Sequence, residues 1–317
     1  MDISIVVPLY NEEQSVPELI DWINSVMESH DLSYEIIVID DGSDDRSWKV
    51  IQELSARYDT IKAIKFRRNY GKSAALYCGF EVASGDVVIT LDADLQDSPE
   101  EIPELYRMIT GEKYDMVSGW KKRRYDPLSK TIPSRIFNKT ARIATGIPLH
   151  DFNCGLKAYR SEVVKSIEVY GEMHRYLPVM VKKAGFSAIA EKVVPHRQRK
   201  YGSTKFGLGR FMKGFLDLIS LTFVLRFGKR PMHLFGTMGT LMFILGFLMA
   251  AWLGGQKIYY LYHGIRLGLV TESPYFYIAL AAMVMGTQLF VAGFLGELIS
   301  RNSPYKDRYL IEEKINV

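Results

Sequence analysis

Two carboxylates separated by one small residue, Asp92-Ala93-Asp94, follow the apolar run Val87-Val88-Ile89-Thr90-Leu91. Carboxylates at i and i+2 just past a buried strand can converge on one hard cation. Oxygen ligands suit Mg2+ or Mn2+, and phosphate oxygens can complete the shell. A second acidic pair, Asp40-Asp41, follows Ile36-Ile37-Val38-Ile39 in the same relation. One such pair alone marks an exposed turn as readily as a site, but recurrence at two strand ends favours a site. Basic residues concentrate at Lys121 to Arg124, Arg197 to Lys205 and Lys229-Arg230, clusters suited to phosphate or anionic lipid. The net charge of +4 over 317 residues is too small to argue for a nucleic-acid partner. The two cysteines, Cys78 and Cys154, lack CxxC spacing, so neither a disulfide framework nor a zinc site is expected.

The elements that must position these groups alternate. Ile3 to Pro8 and Tyr34 to Asp40 read as buried strands, Ile61 to Phe66 and Asp86 to Leu91 as two more strands, and Pro17 to Ser29 and Lys72 to Ala83 carry helical spacing. This order predicts an α/β, mostly parallel, doubly wound sheet, whose ligands bind beyond the carboxyl ends of the strands. The polar clusters fall there: Tyr10-Asn11-Glu12, Asp40 to Ser43, and Asp92 to Asp94.

The last third of the chain changes character. Between 203 and 230, Phe206, Phe211, Phe215, Leu218, Leu221 and Phe223 alternate with Lys205, Arg210, Lys213 and Asp217, a pattern expected of amphipathic helices in the headgroup plane. Pro231 to Gln256 and Ser273 to Gly296 are uncharged apolar runs of about 26 and about 24 residues, each long enough to span a bilayer core. Arg226, Lys229, Arg230, Arg301, Lys306 and Arg308 flank the two spans, against Lys257 and Arg266 between them, so both termini are expected on the cytoplasmic side. No signal peptide is read at Met1 to Ser4. The expected organisation is a cytoplasmic catalytic domain at 1–202, juxtamembrane helices at 203–230, two spans within 231–300 and a cytoplasmic tail at 301–317.

Taken in order, Val6-Val7-Pro8-Leu9-Tyr10-Asn11-Glu12, Asp40-Asp41-Gly42-Ser43 and Asp92-Ala93-Asp94-Leu95-Gln96-Asp97-Ser98-Pro99-Glu100 resemble family 2 glycosyltransferases of the GT-A (Rossmann-like) fold. The stretches Asp151 to Lys157 and Arg199 to Lys205, with the two spans, are similar to the polyprenyl-phosphate glycosyltransferases, a group that includes bactoprenol glucosyltransferases and dolichyl-phosphate mannose synthase. The resemblance implies that Pro8, Tyr10, Glu12 and Asp40 line the base and ribose pocket, with Lys72 at the nucleotide. It implies that Asp92, Asp94 and Gln96 surround Mg2+ or Mn2+, Asp41 either touching ligand or holding its turn. It puts Arg135 and Arg199 at the acceptor phosphate, with Ser134, Lys121 and Arg123 as further candidates.

The reaction so implied is inverting, metal-dependent transfer of one hexose from a nucleotide sugar to undecaprenyl or dolichyl phosphate at the cytoplasmic leaflet of, most simply, a bacterial inner membrane. UDP-glucose is the expected donor; GDP-mannose and UDP-N-acetylglucosamine stay open, as does a non-catalytic nucleotide-sugar-binding protein. A phosphate monoester is already anionic at neutral pH, so Asp94, Asp151 and Arg199 are the catalytic candidates, with Asp151 either positioning the sugar or acting as a base. Gln-x-x-Arg-Trp, a feature of processive synthases, is missing, and a homo-oligomer is expected. His150 and the glycosylation pattern Asn138-Lys139-Thr140 receive no functional role, and Tyr259, Tyr260 and Tyr262 are expected to anchor at the interface.

Overall fold

The computed structural model describes residues 1–122, 128–169, 173–201, 231–265 and 268–301. The chain divides into two compact units, Met1–Ile219 and Ser220–Val317. The expected amphipathic helices of 203–230 and residues 302–317 of the expected tail lie outside the described residues, as does Arg123.

In the first unit β1 (Ile3–Leu9), β2 (Tyr34–Asp40), β3 (Ile61–Lys65) and β4 (Val87–Thr90) are the four strands expected from their apolar runs. They join β5 (Met116–Trp120), β6 (Lys157–Arg160) and β7 (Ile189–Val193) in one seven-stranded sheet of order β3-β2-β1-β4-β6-β5-β7. The pairings β1–β2, β1–β4, β2–β3 and β5–β7 are parallel, and β6 runs antiparallel to both β4 and β5. The sheet is therefore mostly parallel. The chain moves outward from β1 to β3 and returns to β4 on the other side of β1, which opens a crevice at the carboxyl ends of β1 and β4.

Side-chain alternation explains how both faces are covered. Ile3, Ile5, Val7 and Leu9 of β1 point into one core, and Val6 points into the other. Helix α1 (Val16–Glu28) buries Val16, Leu19, Ile20, Ile23 and Met27, a 3.6-residue stripe, with Pro17 in its first turn where no amide donor is needed. Helix α2 (Ser47–Ser55) and helix α4 (Ile102–Thr110) use the same logic, and α3 (Lys72–Val82) lays Ala75, Leu76 and Phe80 against the opposite face. Helices α5 (Leu128–Thr145), α6 (Ser161–Ser166) and α7 (Leu177–Lys183) complete the unit.

The second unit is a helical hairpin, α8 (Pro231–Tyr262) and α9 (Pro274–Arg301). Both helices are long and apolar enough to cross a membrane, with mean hydropathy of 1.9 and 2.0 over their most apolar windows and only 17% of each window buried. A glycine seam joins them. A Cβ on Gly239 would stand 2.5 Å from the Gly286 carbonyl, and one on Gly286 would stand 2.6 Å from the Gly239 carbonyl, so only glycine permits this backbone approach.

Candidate active site

The three polar clusters do meet at the carboxyl edge of the sheet, and the loops that carry them are laced together. Asn11, at φ +56°, donates its backbone N–H to Ser43 Oγ at 2.9 Å, and its side-chain oxygen accepts from Asp44 N at 2.9 Å. Glu12 N donates to Ser47 Oγ at 2.9 Å. A non-glycine residue in the left-handed region is uncommon and is kept only where its surroundings fix it. Leu95, at φ +61° directly after Asp94, is a second case, held by burial of its side chain.

Asp40 is fully buried at the end of β2; its Oδ1 accepts Ser43 N at 2.8 Å, and its Oδ2 has no hydrogen-bond partner among the described residues. A buried carboxylate oxygen left unmatched is costly in a folded chain. Asp41 instead accepts the N–H groups of Tyr70 at 2.7 Å and Gly71 at 2.9 Å, which makes it the brace of the loop that precedes Lys72. Of the two roles open for Asp41, the structure displays the turn-holding one. Pro8 lies in β1 opposite Ile39, and Tyr10 donates its hydroxyl to Asp44 Oδ2 at 3.2 Å.

Asp92 and Asp94 occupy unlike environments. Lys72, the first residue of α3, forms an ion pair with Asp92 Oδ1. The other oxygen of Asp92 lies against Gly155, where a Cβ would come within 2.4 Å of it. Burial pushes the Asp92 carboxyl up, but Lys72, Lys121 and Lys157 outweigh it and hold the group down at about 2. For Asp94, burial and the neighbouring Asp92 and Asp97 all push the same way, to about 6. Gln96 donates its backbone N–H to Asp94 Oδ1 at 3.2 Å and accepts Arg197 N at 3.0 Å.

These residues fit a divalent cation. Asp94 is an anion crowded by anions, the condition a hard cation relieves. No group of three or more His, Cys, Asp or Glu side chains able to hold a metal occurs among the described residues, so the protein would offer two carboxylates, with the Gln96 amide beside them, and leave the remaining positions to diphosphate oxygens.

The cations expected at an acceptor phosphate separate. Lys121 pairs with Asp97 at 2.7 Å in a largely buried contact. Arg199 is ion-paired with Glu12, with its other amino nitrogen 3.9 Å from Asp94 Oδ2, so it bridges the two carboxylates. Ser134 and Arg135 lie on the middle turns of α5, with Arg135 exposed. Asp151 is buried, and its Oδ1 accepts Asn153 N at 3.1 Å while its carbonyl accepts Ser118 Oγ at 3.3 Å.

Three further residues near the carboxylate cluster receive no role from sequence, although Lys157 ends the Asp151 to Lys157 stretch that carries the resemblance. Lys157, in β6, is buried, donates to the Cys154 carbonyl, and has its pKa lowered by burial. His174 exchanges two hydrogen bonds with Ser73: its backbone N–H donates to Ser73 Oγ at 3.0 Å, and its Nδ1 lies 3.1 Å from the same oxygen. Burial, with Lys72 and Arg175 nearby, lowers the imidazole pKa well below its ordinary value, so the ring is neutral at pH 7. Glu191 of β7 accepts from His150 and Asp151.

A mostly parallel sheet with paired carboxylates at its switch point is the architecture of the GT-A fold. Residues 4–168 match Glycosyl transferase family 2. The chain is 34% identical over 312 residues to the dodecaprenyl-phosphate galacturonate synthase of Rhizobium johnstonii, covering 97% of this chain and 90% of that protein. It is likewise 34% identical over 303 residues to the undecaprenyl-phosphate 4-deoxy-4-formamido-L-arabinose transferase of Pseudomonas paraeruginosa, covering 94% and 85%. In fold it is similar to glucosyl-3-phosphoglycerate synthase of Mycobacterium tuberculosis crystallised with Mn2+, UDP-glucose and phosphoglyceric acid. That match has a TM-score of 0.55 at 21% identity and covers 71% of this chain and 79% of that one. A mannosyl-3-phosphoglycerate synthase of Rubrobacter xylanophilus gives a TM-score of 0.56 at 19% identity, covering 70% and 74%. The chain belongs to glycosyl transferase family 2 and is a glycosyltransferase.

Proposed function

We propose that the protein transfers a single sugar from a nucleoside-diphosphate donor to a polyprenyl phosphate at a membrane surface. The observation that carries this is the union, in one chain, of the Asp92–Asp94 diphosphate edge with two helices whose apolar side chains face outward. An acceptor dissolved in the bilayer is the substrate such an anchor serves. The full-length relatives named for dodecaprenyl and undecaprenyl phosphate support the same acceptor.

In this proposal Asp40 receives the base through its unmatched Oδ2, and Pro8, Tyr10 and Glu12 shape the nucleotide pocket around it. Asp92, Asp94 and Gln96 hold Mg2+ or Mn2+, which when bound neutralises charge on the departing diphosphate. Lys72, displaced from Asp92, turns to the same diphosphate. Arg199, relieved of Glu12 and Asp94 as donor occupies them, meets the acceptor phosphate, with Arg135, Ser134, Lys121 and Arg123 as further contacts. The anionic acceptor oxygen forms a bond to the anomeric carbon as the bond to the diphosphate oxygen breaks with its electron pair. The sugar inverts and no proton need move, so Asp151 positions the sugar rather than serving as an essential base.

UDP-glucose is the donor proposed from sequence. A uronate donor is the second reading, favoured by the galacturonate named for the Rhizobium relative and by Lys72, Lys121 and Lys157 around Asp92. The catalytic domain and both termini are assigned to the cytoplasmic side of a bacterial inner membrane, and the protein to a homo-oligomer. The test is to incubate the detergent-purified protein with undecaprenyl or dolichyl phosphate, a panel of labelled nucleotide sugars and Mg2+ or Mn2+, with and without chelator. Label is expected in the organic phase for one donor. Undiminished transfer under chelation removes the metal, and UDP binding without transfer to either lipid overturns the proposal.

A further inference from the structure

Glu191 lies outside every motif that carries the family resemblance, yet one carboxylate of it meets two consecutive residues of the loop that leads into the site. Its Oε1 accepts the backbone N–H of His150 at 2.7 Å and of Asp151 at 3.0 Å, and its Oε2 accepts the His150 Nδ1–H at 2.7 Å. The Glu191 side chain is only 11% exposed. The His150 ring is fixed from its other side by stacking on Trp120, with centroids 4.1 Å apart and planes 14° from parallel.

The same loop is held further along by the Lys157 amine, which donates to the Cys154 carbonyl, and by two neutral contacts. Thr90 Oγ1 donates to the Gly155 carbonyl at 2.7 Å, and Gly155 is the residue packed against the Asp92 carboxylate. Asn138 Oδ1 accepts Phe152 N at 3.3 Å. Glu191 is thus the carboxylate anchor of a segment that presents Asp151 at one point and abuts Asp92 at another. Sinking an anion into an edge strand is costly unless its hydrogen bonds do something an uncharged residue would not. A carboxylate can draw two adjacent amides and an imidazole onto one point, and this fixes the direction of the loop as it enters the site.

We propose that Glu191, with His150, is a positioning residue for the reaction: it sets the placement of Asp151 and, through the loop, the fit of Gly155 against Asp92. The proposal rests on the reading that Asp151 acts at the sugar. The test compares Glu191→Ala, Glu191→Gln, His150→Ala and Asp151→Asn in the full-length detergent-purified protein. It measures steady-state transfer, UDP affinity by calorimetry, and hydrogen exchange of residues 146–156. Loss of an outer partner of a metal-ligating side chain lowers activity about 10- to 100-fold, and the same order is expected for a partner of Asp151. Glu191→Ala is expected to lower kcat by that factor, leave UDP affinity within about twofold and speed exchange in the loop. Glu191→Gln, which keeps the shared amide acceptor, is expected to recover most of the rate. The double variant Glu191→Ala/Asp151→Asn should be no slower than the slower single one. A folded Glu191→Ala protein with wild-type kcat overturns the proposal, as does a fall in UDP affinity that parallels the fall in rate. Normal turnover in Asp151→Asn beside a slow Glu191→Ala instead overturns the reading of Asp151, and the two failures are told apart.

Discussion

Asp94 is a carboxylate whose surroundings oppose its charge. Its side chain is 19% exposed, and its carboxyl is raised from 3.8 to about 6 by burial and by Asp92 and Asp97. A carboxyl raised by folding stabilises the metal-free protein below its unfolded pKa, and that contribution is lost as pH climbs through the folded value. The window for Asp94 therefore runs from about pH 4 to about pH 6, with roughly 3 kcal/mol as an upper figure. In chelator at pH 7.5, Asp94→Asn is expected to melt above wild type, with the difference closing below pH 4. Thermal unfolding in detergent at both pH values checks this. Added Mn2+ should then raise the wild-type midpoint and leave that of Asp94→Asn unmoved, while transfer by the variant falls to background. A variant stabilised by Mn2+ as much as wild type would remove Asp94 from the metal site.

At the scale of elements, the register of β1, β2 and β4 places every chemical cluster on one edge, and buried contacts at the opposite edge lock it. Glu35 of β2, 2% exposed, pairs with Lys62 of β3 and accepts from Ser4 of β1 and from the N–H and hydroxyl of Ser84, the two Ser84 bonds both at 2.8 Å. Burial opposes the charge, but Lys62, Ser4 and Ser84 outweigh it and hold the carboxyl down at about 2. A depressed carboxyl stabilises above its unfolded pKa and loses that stability as pH falls through the folded one. Glu35→Gln should therefore cost about 2–3 kcal/mol at pH 7, a gap that narrows from about pH 5 towards pH 2 in urea titrations. Gly155→Ala tests the β4–β6 junction: the methyl would sit 2.4 Å from Asp92 Oδ2, so Mn2+-dependent UDP binding should fall at least about tenfold. Gly254→Ala, with nothing within 4 Å of its Cβ position, serves as the neutral control by the same calorimetry. These contacts also explain what the sequence revealed. Strands β1, β2 and β4 were legible because each is a mostly apolar, buried run ended by polar turn residues, whereas β3 (Ile61–Lys65) carries Lys62 and Lys65 on a largely exposed edge. Strands β5 and β6 were not, because Met116 to Trp120 contains Ser118 and Gly119, and β6 begins with a buried lysine whose partner is a carbonyl three residues back. The paired acids declared themselves locally. Arg199 with Glu12, Lys121 with Asp97 and Glu191 with His150 are contacts across the fold, and no spacing rule announces them.

For the molecule as a whole, the hairpin of α8 and α9 is the part whose two helices could cross a membrane. At 1.5 Å per residue, their 32 and 28 residues give lengths of about 48 and 42 Å, enough to cross an apolar core of about 30 Å with turns to spare at each surface. Gly239 and Gly246 on one helix meet Gly286 and the Ala279 carbonyl on the other, so the backbones touch along the hairpin while Leu241, Leu245, Leu248, Phe290 and Leu298 face outward. An outward apolar surface of this extent suits contact with lipid. The charges outside the hairpin then set its direction: Arg226, Lys229, Arg230, Arg301, Lys306 and Arg308 flank the helices, against Lys257 and Arg266 near the loop that joins them. That imbalance predicts the 263–273 segment on the opposite side of the membrane from the two outer ends of the hairpin. In a Cys78→Ser background, a cysteine introduced by His263→Cys should react with an impermeant maleimide in intact cells. One introduced by Ser29→Cys at the end of α1 should react only after permeabilisation. Labelling of both positions, or of neither, in intact cells would mean that the hairpin does not cross; labelling of Ser29→Cys alone would mean that it crosses in the opposite sense.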